Sequence, residues 1–258
     1  MTSVSRPVLV SKALGVATVT LNRPESLNVL DNSMLSALEA AFLDIREDAQ
    51  IRCVVVTGQG RAFSAGADLR EMKLLRPEDA LYYSQRGQAI VGLLETLQVP
   101  TIVQLNGIAL GGGCELALAA TFRFASSTTL IGLPEITLGL IPGFGGTQRL
   151  SRLIGDQAAR RMILLGERLD ADTSLRIGLV DKVFSAETIQ ESTQRIANQL
   201  ASSPRMALQA ASRCISTARD RDLESGLKHE AQEFSTVFWQ EDRVKGLNAF
   251  FDKRFPRF

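Results

Sequence analysis

The sequence predicts an α/β protein built around a mainly parallel sheet. Three observations lead there. Short, continuously apolar runs ending in glycine recur, as in "RCVVVTG" (52–58) and "TIVQLNG" (101–107), and such runs suit strands buried on both faces. Between them lie stretches with apolar residues at helical spacing, and strands alternating with helices argue for helical crossovers between parallel strands. The composition agrees: 258 residues, 45% hydrophobic and 22% charged, are enough to bury a sizeable core and are incompatible with long disorder.

The elements follow in order. "GVATVTLNRP" (15–24) alternates like a strand and closes in a turn at Asn22-Arg23-Pro24. Residues 31–48 place Leu35, Leu38, Phe42 and Ile45 on one helical face. After the strand at 52–58, residues 76–100 read as a helix that Pro100 ends. The strand at 101–107 leads through a glycine cluster into a helix from about Gly112 to Ala120. "FRFAS" and "TLIGLPE" read as short strands, 148–166 as one or two helices, and "LVDKVF" (179–184) as a further strand. From about 186 the chain is mostly helical and rich in aromatics, among them Phe234, Phe238, Trp239, Phe250, Phe251, Phe255 and Phe258. The expected division is a core domain over 1–195 and a helical C-terminal region over 196–258.

Several function classes drop out. A net charge of +1 gives no field to steer nucleic acid. Three cysteines, odd in number and far apart, have neither metal spacing nor a disulfide framework, which points to a reducing compartment. The N-terminus lacks an apolar core of signal-peptide length, and no apolar run approaches the ~20 residues of a membrane helix. The expected location is cytoplasmic, although a processed organellar form would read the same. The single histidine, His229, excludes a multi-histidine metal site and reads as a surface residue of a polar helix. There is no G-x-S-x-G elbow. Carboxylates and backbone groups are left to carry any chemistry.

Three stretches stand out. In "ALGGGCELAL" (109–118) the glycines lack the spacing of a dinucleotide loop and no Gly-Lys-Ser/Thr follows. Bare N–H groups at a helix start suit a small oxyanion; a tight strand-to-helix turn is the other reading. In "RAFSAGADLREM" (61–72), Ala65-Gly66-Ala67 leaves backbone donors uncovered and Asp68 suits a helix N-cap. It follows a parallel strand, where ligands of open α/β sheets bind. In "IGLPEITLGLIPGFGGTQRL" (131–150), Glu135 lies among apolar residues. Apolar surroundings disfavour the charged form, so Glu135 and Glu115 together form a candidate acid/base pair. The alternative for each is a buried ion pair, with Arg149 or Arg123 as partner, or a solvated residue.

These stretches add up to a pattern. "LNRPESLNVLDNSML", "RAFSAGADLREM", "NGIALGGGCELALAATFRFAS", "LPEITLGLIPGFGGTQRLSRLIG", "GLVDKVF" and the closing "DRVKGLNAFFDKRFPRF" stand in order over nearly the full length. Together they resemble the crotonase, or enoyl-CoA hydratase/isomerase, superfamily. The resemblance implies a crotonase fold, a spiral of ββα repeats with a helical C-terminal oligomerisation region, and a homotrimer or a dimer of trimers. It implies that the N–H groups of Ala67 and Gly112 hold a thioester oxygen, and that Glu115 and Glu135 flank a water added syn across a trans-2-enoyl-CoA. Glu135 is assigned the C2 proton and Glu115 the water. Members lacking one glutamate run other reactions, so the pair favours hydration. Isomerisation of a 3-enoyl-CoA, a methylglutaconyl-CoA hydratase-like substrate and non-catalytic acyl-CoA binding are the alternatives.

The resemblance also implies a coenzyme A cradle from Ala65, Gly66, Ala67, Asp68 and Leu69, with Gly111, Pro134 and Gly143 along the substrate. Arg23, Lys253 and Arg254 are placed at the phosphates. No separate cofactor is implied, because coenzyme A arrives as part of the substrate. Two positions depart from the family pattern. Glu25 stands where many members carry a basic residue, and Leu133 stands where straight-chain hydratases often carry a polar one. The lysine-rich RNA-binding helix of the methylglutaconyl branch is not evident.

Overall fold

The computed structural model describes residues 6–218 and 220–258; part of the N-terminal leader reading falls on residues 1–5, outside the described residues. A six-stranded sheet holds β1 (Val8–Ala13), β2 (Val16–Leu21), β3 (Cys53–Gly58), β5 (Thr101–Leu105), β7 (Phe122–Ser126) and β10 (Lys182–Phe184), in that spatial order. Only β1–β2 is antiparallel. A smaller sheet holds β4 (Ala62–Ser64), β6 (Ile108–Leu110), β8 (Leu130–Gly132) and β9 (Arg168–Asp170), parallel except for β8–β9. Each turn of the chain lays one strand in each sheet before going helical: β3 then β4, β5 then β6, β7 then β8. This is the spiral of ββα repeats that the resemblance implies.

The helices are α1 (Asn32–Glu47), α2 (Leu69–Leu74), α3 (Ala80–Glu95), α4 (Gly112–Leu118), α5 (Gly146–Ile154), α6 (Asp156–Leu164), α7 (Ala171–Arg176), α8 (Ile189–Ala201), α9 (Arg205–Thr217), α10 (Leu223–Phe238) and α11 (Glu241–Phe251). Asp31 caps α1 by accepting from the Met34 N–H at 2.7 Å, and Leu35, Leu38, Phe42 and Ile45 are buried on its inner face. α3 is shorter than the sequence reading: 77–79 forms a 3-10 turn and Glu95 is its last residue. Gly155, at φ +78°, divides 148–166 into two helices.

Alternate residues of the central strands face different layers. Val54, Val56, Val103 and Leu105 join the main core with α1 and α3. Val16, Cys53, Val55, Ile102 and Phe124 point the other way, against Ala197 and Ala201 of α8. That explains the unbroken apolar runs of β3 and β5. α8 runs through the expected boundary at 195/196 and covers the sheet. α9 to α11 bury few residues and leave Phe234, Phe238, Trp239, Phe250 and Phe251 exposed. His229 is half-buried rather than on the surface, its Nε2 4.0 Å from Glu233 on the same helix. Among the described residues no helix is long and apolar enough to cross a membrane.

Candidate active site

The site lies where the β4 and β6 ends of the small sheet open into loops. Gly66, at φ +98°, lets the first loop lie on the second: a Cβ there would stand 2.7 Å from the Leu110 carbonyl oxygen and 3.2 Å from the Gly112 nitrogen. Only glycine tolerates that approach and that backbone angle together. The Leu30 N–H donates to the Gly66 carbonyl at 2.7 Å and the Ala65 N–H to Leu27 at 2.9 Å, which sets the next peptide. Among the described residues no acceptor engages the N–H of Ala67 or of Gly112. Two bare donors on touching loops are thus the geometry of an oxyanion site.

Asn28 braces this arrangement from behind. Fully buried at a left-handed φ of +54°, it donates to the carbonyls of Gln59 and Ala62 and accepts from the Arg23 N–H. Its own carbonyl accepts from Ser64 Oγ at 2.8 Å. The sequence reading did not single it out; its signal was an asparagine in a turn ahead of the glycine loop.

Glu115 sits in the first turn of α4 and is 2% exposed. Its Oε1 accepts from the N–H groups of Phe144 and Gly146, each at 2.7 Å. Burial pushes its pKa up to about 7; the two backbone donors oppose the rise, and Glu135 adds to it. Glu135 opens the 3-10 turn Glu135–Leu138 behind the half-buried Pro134. Burial raises its pKa as well. A Cβ on Gly111 would lie 3.2 Å from Glu135 Oε1, so the absence of a side chain there admits the carboxylate. Glu135 Oε2 is buried with no hydrogen-bond partner. Such an atom calls for a missing donor, which a water or a protonated carboxyl supplies.

The structure corrects the ion-pair alternative. Arg149 pairs with Glu95 at 2.7 Å. Arg123 binds the carbonyls of Leu179 and Ala120 and lies 3.5 Å from Asp181. The carboxylates they meet are thus Glu95 and Asp181. Asp68 caps α2 through the Arg70 N–H at 2.7 Å, as its position predicted, and Leu69 is exposed. The Gly143 carbonyl accepts from Ser84 Oγ at 2.6 Å and Gln88 Nε2 at 3.1 Å, which ties the loop before α5 to α3. Arg23 is committed to Asp31 and Ser33. Lys253 and Arg254 are exposed on the C-terminal tail, Arg254 3.2 Å from Asp252. Leu133 is fully buried.

The arrangement offers two backbone donors for a developing oxyanion and two carboxylates with raised pKa values beside them. That set can stabilise an enolate while moving one proton on and one off. The comparisons agree. A family model described as enoyl-CoA hydratase/isomerase matches residues 11–258. The chain is 38% identical to a short-chain-enoyl-CoA hydratase of Clostridium acetobutylicum, covering 96% of this chain and 95% of the other. It is 34% identical to a crotonyl-CoA hydratase of Syntrophomonas wolfei over 97% of each. Its fold superposes on a crystal structure of an enoyl-CoA hydratase from Bacillus anthracis with TM-score 0.94, at 38% identity and 98% coverage of both chains.

Proposed function

The chain belongs to the enoyl-CoA hydratase/isomerase family and is an enoyl-CoA hydratase, and from that premise we propose how its residues add water to a trans-2-enoyl-CoA. The thioester oxygen accepts from the N–H groups of Ala67 and Gly112. Withdrawal of charge toward that oxygen makes C3 electrophilic. A water held between Glu115 and Glu135 attacks C3, and its proton passes to Glu115. The enolate charge rests on the two fixed N–H dipoles. Glu135 then delivers its proton to C2, and the product is a 3-hydroxyacyl-CoA. Both carboxylates lie on one side of the bound thioester, so the addition is syn.

The observation that carries this reading is the asymmetry of the pair. Two backbone donors favour the carboxylate form of Glu115, the form that accepts a proton. The orphaned, buried Oε2 of Glu135 favours the protonated form, the one that donates. In this reading the two carboxyls act as a coupled pair.

The substrate is an acyl-CoA. Ala65, Gly66, Ala67, Asp68 and Leu69 cradle the coenzyme A, Gly111, Pro134 and Gly143 lie along the acyl thioester, and Lys253 and Arg254 reach the phosphates from the exposed tail. Arg23 adds charge at the same end from its place beside Asp31. The exposed aromatics of α10 and α11 support assembly into a trimer or a dimer of trimers, and the location proposed is cytoplasmic.

Loss of the conjugated enoyl-thioester absorbance on adding enzyme to crotonyl-, tiglyl- and 3-methylglutaconyl-CoA tests the reading. Hydration of at least one of them is expected. Absorbance gained from a 3-enoyl-CoA, with none lost from any 2-enoyl-CoA, would replace hydration by isomerisation as the main reaction.

A further inference from the structure

Glu115 is held by two main-chain groups. Its two donors, the N–H groups of Phe144 and Gly146, belong to the loop that enters α5, and that loop is clamped twice. Ser84 and Gln88 of α3 hold the Gly143 carbonyl. Arg149 Nη1 donates to the Phe144 carbonyl at 3.0 Å. The same guanidinium sends its Nε and Nη2 to one oxygen of Glu95, at 3.0 and 2.7 Å. Gly145, at φ +105°, makes room for this, because a Cβ there would stand 2.2 Å from Arg149 Nη1. Phe144 therefore links the two sides, its carbonyl on Arg149 and its N–H on Glu115.

The position of the pair is informative. Arg149 and Glu95 line a cavity of about 680 Å³ between the core and α9, which also touches Gly145 and Gln209. Glu95 is half exposed there while Arg149 is mostly covered. Neither residue was assigned to the reaction above.

We propose that Arg149, oriented by Glu95, is a positioning residue for hydration: it fixes the loop whose N–H groups hold Glu115 and places a positive charge behind that carboxylate. The charge counters the other groups that face Glu115. Glu135 from the 3-10 turn raises its pKa and Arg149 from α5 lowers it. Burial chiefly, with the Glu115 charge as a lesser cause, pushes up Tyr83 of α3 and Cys114 on α4 itself, and both stay neutral. Arg149 is thus a cation that helps keep Glu115 available to take the proton of the attacking water.

The inference rests on Glu115 as the group that accepts that proton, and the experiment separates the two claims. The pH profile of kcat/KM for crotonyl-CoA hydration is measured for the wild type, Arg149→Met, Arg149→Lys, Glu95→Gln and Glu115→Gln. Activity rises with pH as Glu115 loses its proton, so its pKa sets the acid limb. Arg149→Met is expected to lower kcat about tenfold or more through loop displacement and to move that limb up by roughly half a pH unit or more. Arg149→Lys keeps the charge, so it lowers kcat with the limb near its wild-type place. Glu95→Gln removes the anion that offsets Arg149 and moves the limb down.

A folded Arg149→Met enzyme with an unmoved limb overturns the inference, whether or not its kcat falls. If Arg149→Met does not fold, an unmoved limb in Glu95→Gln overturns it instead. Wild-type turnover in Glu115→Gln would sink the reading of Glu115 itself, a separate outcome.

Discussion

The two carboxylates of the site stand on backbone of opposite character. Glu115 grows from α4, whose seven residues are all buried, and both of its donors are main-chain N–H groups. Glu135 opens a 3-10 turn with no buried residue, in which Ile136 and Leu138 are exposed, and the exposed Leu140 and Ile141 follow it. One group is built into the fold, and the other is pressed against Gly111 with an oxygen left unpartnered. Burial raises both pKa values; the N–H groups of Gly146 and Phe144 oppose the rise at Glu115, and at Glu135 its own backbone N–H does. Two like residues therefore have unlike surroundings, and the proposed division of roles between them rests on that difference.

The largest expected effect tests whether the pair acts as a unit. Changing both residues in Glu115→Gln/Glu135→Gln should cost ~10²–10⁴-fold in kcat, about as much as the worse single change, because groups that act as a coupled pair do not add. A double variant that falls by the product of the two singles would separate them into independent steps.

Next comes Gly66→Ala. The added Cβ meets the Leu110 carbonyl oxygen and crowds the Gly112 nitrogen at a backbone angle that alanine avoids. Displacing an oxyanion donor costs about 10²–10³-fold in kcat, and steady-state kinetics on a variant checked by thermal melting would measure it. Unchanged kcat would mean that the bare N–H groups of Ala67 and Gly112 are incidental.

The third concerns stability. The folded-state pKa of Glu115 is raised above the ordinary 4.5, so the folded protein binds its proton more tightly than the unfolded chain between pH 4.5 and about 7. Stability therefore drains away as pH rises through that window, and the full cost is present above it. Glu115→Gln should then be more stable than the wild type at pH 8, by about 1–3 kcal/mol, with the gain vanishing near pH 4.5. Denaturant unfolding at both pH values measures this. A loss of stability at pH 8 would mean that the charged form is the one the fold prefers.

The smallest effect contrasts the two supports directly. Leu138→Ala, on the exposed turn, should change stability by no more than about 0.5 kcal/mol. Leu116→Ala, one residue past Glu115 and 1% exposed, should cost about 2–5 kcal/mol. Comparable losses at the two positions would erase the distinction between a rigid and a loosely held carboxylate.

Much of the site was readable before any coordinates. Three glycines ahead of an apolar helix placed Glu115 in a first turn, and Asp68 read as a cap because short acceptor side chains serve helix starts. The inner face of α1 followed from its spacing. The strands β4, β6 and β9 were not legible: each has three residues and shows no period, whereas the equally short β8 and β10 lie within the longer strand-like runs "TLIGLPE" and "LVDKVF". β1 was missed as well, because five of its six residues are exposed and its pattern carries no buried face. The groups that hold Glu115 were invisible for another reason: main-chain N–H donors of Phe144 and Gly146 exist whatever the side chain. Arg149 was expected as an ion-pair partner, and its real contact with the site, through the Phe144 carbonyl, depends on a loop conformation that spacing does not encode.

The central claim is that two carboxylates of unlike support move the two protons of hydration. Turnover of crotonyl-CoA by Glu115→Gln and by Glu135→Gln, each measured singly with thioester binding followed in parallel, tests it most directly. The account predicts that each variant loses at least ~100-fold in kcat while binding is largely kept. Hydration at the wild-type rate by either variant would contradict it.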